Sequence, residues 1–276
     1  MKNFLVVVLS IISVTVCSSS KTPFTLEQYI TKCGFDEDGH VCFDVNLQIK
    51  NNTSKDVQAR FLFYVYFDTL TTSKTNDRPN IEETKNFTIE KGKEPINISM
   101  RCIALLQKNM PDTVFLYLGY YPVTGKEKGP FGEQFKYGDY VVFFRRIPIK
   151  VVKPSEFIKF DITNKGYEKQ LGSGFYNIAK YGRIDFKVEN ISNEPIKNLI
   201  VKADWYKYGT KEIYDTEEYY IISGVSDSPL KPGYSKIDYI TAPYGKSSGM
   251  KYRVDIYLSF DRNKWELIKE GIIVGL

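Results

Sequence analysis

The residue types that could do chemistry are sparse in this 276-residue chain. His40 is the single histidine, so we expect neither histidine-based acid–base catalysis nor a histidine metal site. The run Asp36-Glu37-Asp38 offers carboxylates that Ca²⁺ prefers, but it lacks the spacing of an EF-hand loop, and acidic residues in turns are usually solvated. No Gly-rich phosphate loop, paired-carboxylate motif or nucleophile signature stands out. We therefore predict no enzymatic activity, no cofactor and no metal; a hydrolase with acidic catalytic residues is the enzyme alternative.

Aromatic residues supply the one candidate for ligand binding. They are dense between residues 205 and 220, where the candidate binding residues are Trp205, Tyr206, Tyr208, Tyr219 and Tyr220, with Tyr214 between them. Rings exposed on one face could stack on sugars and form a carbohydrate-binding surface. If these segments are strands, alternate rings point into the core instead and the others lie on edge strands. Both interpretations stay open from the sequence.

The N-terminal segment predicts export. After Lys2, the residues from Phe4 to Val16 carry no charge, as in the n-region and h-region of a signal peptide. The run is shorter than the roughly 20 apolar residues that span a bilayer. We predict a signal peptide over residues 1–17, with Cys17 as the candidate for lipid attachment; the alternative is ordinary cleavage a few residues later.

Residues 18–39 are expected to form a polar tether followed by one short helix. Thr25 and Gln28 have the spacing of a capping box, and Gly34 supplies a stop signal. The apolar residues that fall on one helical face are Leu26, Tyr29, Ile30 and Cys33. We expect this helix to close one end of a β-sandwich.

Period-two alternation from Val41 onward predicts an all-β fold. Residues 251–259 are an example, because every second residue is apolar and most of those between are polar. Strands recur at short spacing on both sides of Lys153-Pro154-Ser155. We therefore predict two tandem immunoglobulin-like antiparallel β-sandwich domains, over residues 40–152 and 156–276, joined by a linker at 153–155.

The two halves also match each other in sequence. Val45–Asn51 corresponds to Ile184–Asn190 at an offset of 139 residues, which is 190 minus 51. Each copy has a small hydroxyl residue two positions after the asparagine, Thr53 in the first and Ser192 in the second. Residues of this kind hydrogen-bond the backbone of their own turn. The repeat supports two homologous domains.

Two segments of the second half carry a family resemblance. They are Asn190-Ile-Ser-Asn-Glu-Pro-Ile-Lys-Asn-Leu-Ile-Val201 and Ser228-Pro-Leu-Lys-Pro-Gly-Tyr234. They resemble the short bacterial immunoglobulin-like modules of exported lipoproteins, including the FxLYD type. The resemblance covers about residues 181–245, with a fainter match at 41–70. It implies a strand–turn–strand for the first segment and a turn before a later strand for the second, and it transfers no catalytic residues.

The function predicted from these observations is an interaction protein. The formal net charge is only +5, with Lys and Asp/Glu well mixed, which does not indicate nucleic-acid binding. We predict an exported, non-enzymatic protein that is periplasmic, secreted or on the cell surface and touches a membrane only through a lipid anchor. It would act as a protein-interaction or structural module whose partner is another envelope or surface protein. The alternative is a carbohydrate-binding module that takes a polysaccharide.

We predict a disulfide between Cys33 and Cys42. Export permits disulfides, and this pair closes the shortest loop, which contains Gly34 and Gly39. Such a bond stabilises by about 2–3 kcal/mol in the chain-entropy model. Peptide mapping without reduction should recover a peptide linking the two residues. The alternative is a bond from Cys42 to Cys102; that peptide, or three reduced thiols, would contradict the prediction.

Overall fold

The computed structural model describes residues 23–67, 81–92, 94–103, 110–171, 178–242 and 250–275. Of these residues, 69% lie in strands and 2% in a helix, which confirms the predicted all-β class. The predicted signal peptide and Cys17 lie outside the described residues. Within the described ranges, no helix has the length and apolar character needed to cross a membrane.

The strands fall into two sets along the chain. The first set is β1 Phe24–Phe35, β2 Val41–Asn51, β3 Val57–Tyr66, β4 Ile81–Ile89, β5 Ile96–Ile103, β6 Thr113–Gly129, β7 Gly132–Tyr137 and β8 Val141–Lys150. The second set follows the short helix α1 Pro154–Phe157 and is β9 Ile158–Leu171, β10 Ile178–Asn190, β11 Leu199–Lys207, β12 Ile213–Ile222, β13 Ser235–Thr241, β14 Tyr252–Ser259 and β15 Glu266–Val274.

The chain divides into two compact units, with a boundary between Val151 and Val152. The second unit also takes in Phe35–Val41 and Met110. Each unit contains two sheets. The first has a sheet of order β1-β2-β5 and a five-stranded sheet of order β4-β3-β6-β7 in which β8 also pairs with β6. The second has the orders β9-β10-β13 and β12-β11-β14-β15.

The two units share one strand order. When β1 is matched to β9 and the later strands follow in sequence, every pairing in one unit has its counterpart in the other. The single addition is β7, which pairs with the far end of β6 in the first unit. The internal repeat seen in the sequence therefore corresponds to a repeated topology in the structure.

A buried asparagine closes the same corner in both units. In the second unit the Nδ2 of Asn190 donates to the carbonyl oxygens of Glu194 and Leu230, both at 2.7 Å. Its Oδ1 accepts from the backbone N–H and the hydroxyl of Ser192, at 2.9 and 2.7 Å. Asn190 is fully buried. One side chain thus joins the end of β10, the turn after it and the loop before β13.

The first unit repeats this corner. Asn51 donates to the carbonyl oxygens of Lys55 and Ile89, at 2.9 and 3.1 Å, and accepts from the N–H and hydroxyl of Thr53, both at 2.8 Å. The residue after the asparagine donates its backbone N–H to the start of the first strand in each copy, from Asn52 to the Pro23 carbonyl in this one. The predicted role of the asparagine and of the hydroxyl two positions later is confirmed.

Each unit has an aromatic core between its two sheets. In the first unit Tyr120 of β6 lies 5.0 Å from Phe24 of β1 and 5.5 Å from Phe61 of β3, measured between ring centroids. In the second, Trp205 of β11 packs edge-on against Tyr252 of β14 at 5.6 Å. Gly182 of β10 permits this packing, because a Cβ there would lie 3.3 Å from the indole ring. In each unit separately, side chains of the two sheets pack against each other and form the core.

The predicted N-terminal helix is wrong, because residues 24–35 form β1. Phe24, Leu26 and Tyr29 are buried. The spacing between buried residues changes from two to three after Leu26, and that step gave the segment a helix-like pattern. Their side chains gain burial against aromatic residues of the other sheet, such as Phe144, whose ring centroid is 4.7 Å from that of Tyr29. Tertiary packing therefore outweighs the local capping signal.

Replacing Asn190 with Ala should destabilise the protein by about 2–4 kcal/mol. The change leaves buried carbonyl and N–H groups without their partner, and each such group costs about 1–3 kcal/mol. Chemical denaturation followed by circular dichroism measures the loss. Asn86→Ala is the matched control, because Asn86 is exposed on the edge strand β4, and it should change stability by no more than about 0.5 kcal/mol. Equal effects of the two substitutions would contradict the role of the corner.

Candidate functional site

Strand alternation separates the five predicted binding aromatics. Trp205 is 0% exposed and belongs to the core, so it cannot stack on a ligand. Tyr219 is half-buried, and its hydroxyl donates to the backbone carbonyl of Tyr239. Burial, together with the charges of Asp238 and Glu217, raises the pKa of Tyr219. The prediction is wrong for Trp205, and the hydroxyl of Tyr219 is bonded within the unit.

The other three predicted rings point outward from the sheet of order β12-β11-β14-β15. Each already lies beside a cation: Tyr206 with Arg253 at 4.1 Å, Tyr208 with Lys251 at 4.3 Å, and Tyr220 with Arg262 at 4.5 Å. Tyr206 is 8% exposed, whereas Tyr208 and Tyr220 are 55% and 42% exposed. The rings are used in contacts within the unit, and a ligand would compete with those cations for the ring faces.

Two buried carboxylates lie at the centre of the same outer face. Asp204 and Asp255 are directly opposite each other on β11 and β14, at 5% and 6% exposure. Asp204 accepts from the Thr216 hydroxyl at 2.8 Å and lies 3.4 Å from the Lys202 ammonium. Asp255 accepts from the backbone N–H of Gly271 at 2.8 Å. These bonds offset the repulsion expected of like charges placed opposite each other, so the pair has a structural role.

The equivalent sheet of the first unit has a different outer face. Four cross-strand pairs of β3 and β6 point outward: Arg60 with Tyr121, Leu62 with Gly119, Tyr64 with Tyr117, and Tyr66 with Phe115. We call the aromatic part of this surface the tyrosine face, made of Tyr64, Tyr66, Tyr117, Tyr121, Tyr137 and Tyr140. At about 3.4 Å per residue, the rows extend over about 20 Å. This surface is the candidate functional site.

The rings of the tyrosine face form a connected but uneven surface. The planes of Tyr66 and Tyr117 meet at 68°, with centroids 4.7 Å apart. Tyr121 is inclined at 62° to Tyr137 and at 45° to Tyr140. These tilts produce ridges and hollows rather than a flat platform.

One glycine lets a tyrosine lie flat against this sheet. A Cβ added to Gly119 would lie 2.4 Å from the Tyr140 ring, so a larger residue there would displace the ring. The absence of a side chain at Gly119 thus sets the position of one end of the tyrosine face.

Charges lie at the margin of the tyrosine face. The Arg60 guanidinium is 5.8 Å from the centre of the Tyr137 ring, and the Arg146 Nε donates to the Tyr117 hydroxyl at 3.3 Å. Arg60 also helps to line a hollow of about 240 Å³ whose other walls include Leu62 and Tyr121. The centre of the surface is aromatic and apolar, with cations around it.

Sequence reasoning did not identify the tyrosine face. In β3 the inward residues Phe61 and Phe63 are fully buried. The residues of opposite parity, Tyr64 and Tyr66, are the outward ones. Aromatic residues on both faces of one strand were therefore the available signal.

The acidic run Asp36-Glu37-Asp38, which was considered as a Ca²⁺ ligand set and not predicted to bind metal, lies in a turn where Asp36 bonds its neighbours. Asp36 Oδ1 accepts the backbone N–H groups of Asp38 and His40 at 2.9 and 2.8 Å, and Oδ2 lies 3.2 Å from the His40 ring nitrogen. Burial opposes ionisation of Asp36, but these hydrogen bonds outweigh it and lower its pKa. Glu37 is exposed beside this turn. The geometry accounts for the acidic residues as turn formers.

The predicted cysteine pairing remains a prediction. Cys33 lies in β1 and Cys42 in β2, which are neighbours in one sheet. The alternative pairing is disfavoured by the register, in which Cys42 is opposite Ile103 and Cys102 is opposite Phe43. Side chains directly opposite each other share a face, so Cys42 and Cys102 point to opposite faces of the sheet. Burial raises the pKa of Cys102 to about 12, which makes it an unreactive thiol.

Comparison with known proteins gives only remote structural similarities. No protein-family model and no curated protein matches the chain. Red sea bream transglutaminase aligns over 92% of this chain and 31% of its own, with 11% identity and a TM-score of 0.28. Bacteroides uniformis beta-glucuronidase aligns over 86% of this chain and 26% of its own, with 11% identity and a TM-score of 0.27. CBD12 from CALX1.2 aligns over 79% of this chain and 76% of its own, with 9% identity and a TM-score of 0.23. The chain thus spans under a third of the two enzymes, and these scores assign neither a fold family nor a function.

Replacing Tyr257 with Phe should make the protein more resistant to alkali. Burial, with a further contribution from the Asp204 charge, raises the pKa of Tyr257 from 10.0 to about 12. Above pH 10 the unfolded chain loses this proton while the folded chain retains it, so stability is full below pH 10 and falls between pH 10 and about 12. The substitution removes that loss and should raise the pH midpoint of unfolding by about 0.2–0.5 units.

Alkaline unfolding followed by tryptophan fluorescence measures this midpoint. Tyr234→Phe is the control, because Tyr234 is 65% exposed, and it should leave the midpoint unchanged. An unchanged or lower midpoint in Tyr257→Phe would contradict the prediction.

Proposed function

We propose that this protein is an exported, non-enzymatic interaction protein with two immunoglobulin-like domains, and that the tyrosine face of the first domain binds another protein. The observation that carries the proposal is the surface itself, where four outward cross-strand rows of β3 and β6 place aromatic and apolar groups at the centre and cations at the margin. On the equivalent sheet of the second unit, the charged groups form ion pairs and contact the outward rings. A surface of tyrosines in contact with one another is therefore specific to the first unit.

The strand orders support the immunoglobulin-like assignment. If the strands of a unit are lettered in the immunoglobulin manner, one sheet is A-B-E and the other is C′-C-F-G, in both copies. Trp205 lies on the strand that corresponds to C and is fully buried, as is the tryptophan of immunoglobulin domains. The FxLYD-like resemblance of residues 181–245 points to the same class and stays part of this proposal.

The composition of the tyrosine face favours a protein partner. Interfaces are enriched in Tyr and Arg, and their centres are depleted of charge. Leu62 lies at the centre at 6% exposure, and Arg60 and Arg146 lie at the margin. The partner is therefore a folded surface with an apolar centre and carboxylates around it, since those would face the arginines.

The carbohydrate alternative is less well supported. A polysaccharide bound along a row of rings needs rings that present parallel faces, whereas the neighbouring rings here are inclined at 45–68°. In the second unit the outward rings Tyr206, Tyr208 and Tyr220 already contact cations. Asp204 and Asp255, the buried carboxylates that a hydrolase could use, are both engaged in bonds that hold the sheet.

The location of the protein is part of the proposal. The signal-peptide pattern of residues 1–17 supports export, and lipid attachment at Cys17 would hold the protein at a membrane surface. The partner would then be another envelope or surface protein.

Two substitutions in the tyrosine face should weaken partner binding at least tenfold. Tyr121→Ala removes a ring that touches both Tyr137 and Tyr140, and Arg60→Glu reverses a charge at the margin. The full chain and each variant are used to capture partners from the native envelope, and the affinity for the recovered protein is then measured. Tyr220→Ala is the matched control, because it removes a 42% exposed ring from the equivalent sheet of the second unit, and it should alter affinity less than twofold.

Two results would overturn the proposal. One is a captured protein that binds both tyrosine-face variants as tightly as the unchanged chain. The other is binding on a glycan array that Tyr121→Ala abolishes, which would assign the surface to carbohydrate.

A further inference from the structure

Strand β6 continues well beyond the sheet to which it belongs. Its pairing with β3 ends where Ala59 meets Pro122, and its pairing with β8 lies between Thr113 and Tyr120. Among the described residues, the segment Val123–Gly129 pairs with β7 alone. Most of this two-stranded ribbon is exposed, and Phe131 at its tip is 96% exposed. Over Val123–Gly129, one backbone edge of β6 has no neighbour among the described strands.

A groove runs along this open edge. It has a volume of about 550 Å³. One wall is formed by residues 53–58, which are the turn after β2 and the start of β3, and the other by residues 123–126 of β6 together with Phe135 of β7. Beyond Ala59 and Pro122 the two strands separate, and the groove occupies the place that a further pairing would fill.

The groove has the chemistry of a site for an extended peptide. In a two-stranded ribbon half of the backbone N–H and C=O groups point away from the partner strand, and an added strand satisfies them. Val57, Val123 and Phe135 supply apolar contacts along the groove. The seven residues Val123–Gly129 provide about 20 Å of edge, since a strand rises about 3.4 Å per residue.

The charges in the groove select for an acidic peptide. Lys55 and Lys126 both line it, and Asp56 is the one acidic residue in the lining. The Asp56 carboxylate is engaged, because it accepts the backbone N–H of Lys91 at 2.8 Å. Lys126 forms an ion pair with Glu133 at 3.1 Å, but both side chains are more than 60% exposed, so the pair is weak and can rearrange.

We propose that the groove between residues 53–58 and the β6 segment Val123–Gly129 binds an extended, acidic segment of another protein, which adds to the open edge of β6 as a strand. This inference is independent of the tyrosine face, because it rests on the open backbone edge and on the lining of the groove.

The second unit shows what a closed edge looks like in this protein. There the outer edge of β13 is covered by side chains of β12: Glu217 accepts the backbone N–H of Thr241 at 3.0 Å, and Tyr219 donates to the carbonyl of Tyr239. Side chains that cover edge groups in this way prevent a further strand from pairing. The edge of β13 in the second unit is therefore protected, whereas the edge of β6 in the first unit is accessible.

Two seven-residue peptides test the site, one alternating Glu and Val and the other alternating Lys and Val. The full chain should bind the Glu peptide at least fivefold more tightly than the Lys peptide, as measured by calorimetry. The double variant K55E/K126E should reverse the preference. Hydrogen exchange at saturating Glu peptide should slow at least tenfold those amides of Val123–Gly129 that point away from β7, and it should leave the amides of β13 unchanged.

Backbone methylation distinguishes strand addition from contact through side chains alone. Two versions of the Glu peptide carry N-methyl groups on alternate residues, in opposite phases. Strand addition predicts that one phase loses binding at least tenfold and that the other keeps it, because only one set of N–H groups faces β6. The inference fails if the two peptides bind equally, if both methylated versions behave alike, or if protection appears on β7 residues 132–137 rather than on β6.

Discussion

The fold of each unit depends on one buried asparagine side chain. Asn51 and Asn190 each join three separate backbone segments, the end of one strand, the turn that follows it and a loop about 40 residues further along. Turn and loop carbonyls that are withdrawn from water must find donors, and a side-chain amide can supply two at once. An apolar residue at this corner would leave the buried carbonyls unsatisfied and would therefore destabilise the closed sandwich.

The corner leaves the outer faces of the sheets unconstrained, and the two copies have used this freedom differently. Inward residues such as Phe61 and Trp205 are fully buried, and the asparagine fixes the path of the backbone. Neither the buried core nor the asparagine corner determines which residues occupy the outward positions. One copy has buried acids at Asp204 and Asp255 and tyrosines that contact cations, and the other has tyrosines that contact one another. The same strand order thus supports one surface whose charged groups and rings contact each other and a second surface that is suited to a partner.

The fold could be predicted from the sequence wherever one face of a strand is buried. Alternation predicted β14, where a strand was expected over residues 251–259 and Tyr252–Ser259 form it, and the Asn–hydroxyl pattern predicted the turns after β2 and β10. It failed at β1, where the spacing of buried residues changes within the strand. The ribbon strand β7 gave no signal, because most of its residues are exposed.

The candidate site was predicted less well, because exposure of a ring depends on strand parity and on neighbours from other strands. Trp205 and Tyr206 are adjacent in sequence but lie on opposite faces, so a cluster of aromatic letters could not separate core from surface. Trp265 is half-buried, with its ring centroid 5.5 Å from the Lys202 ammonium. The tyrosine face required the register of β3 with β6, which brings together residues more than 50 positions apart.

The shared strand order also has a kinetic consequence. Contacts such as that from Asn190 to Leu230 join residues 40 positions apart, so the corner forms only after distant strands have met, and such topologies fold slowly. While they fold, two adjacent copies of one topology offer equivalent strands to each other, and domain swapping is the characteristic failure of tandem repeats. The outer faces of the two copies differ, so a strand carrying Tyr64 and Tyr66 that took the place of β11 would remove Asp204 and its bond from the Thr216 hydroxyl. We therefore expect the difference between the two outer faces to disfavour exchange of strands between the copies during folding.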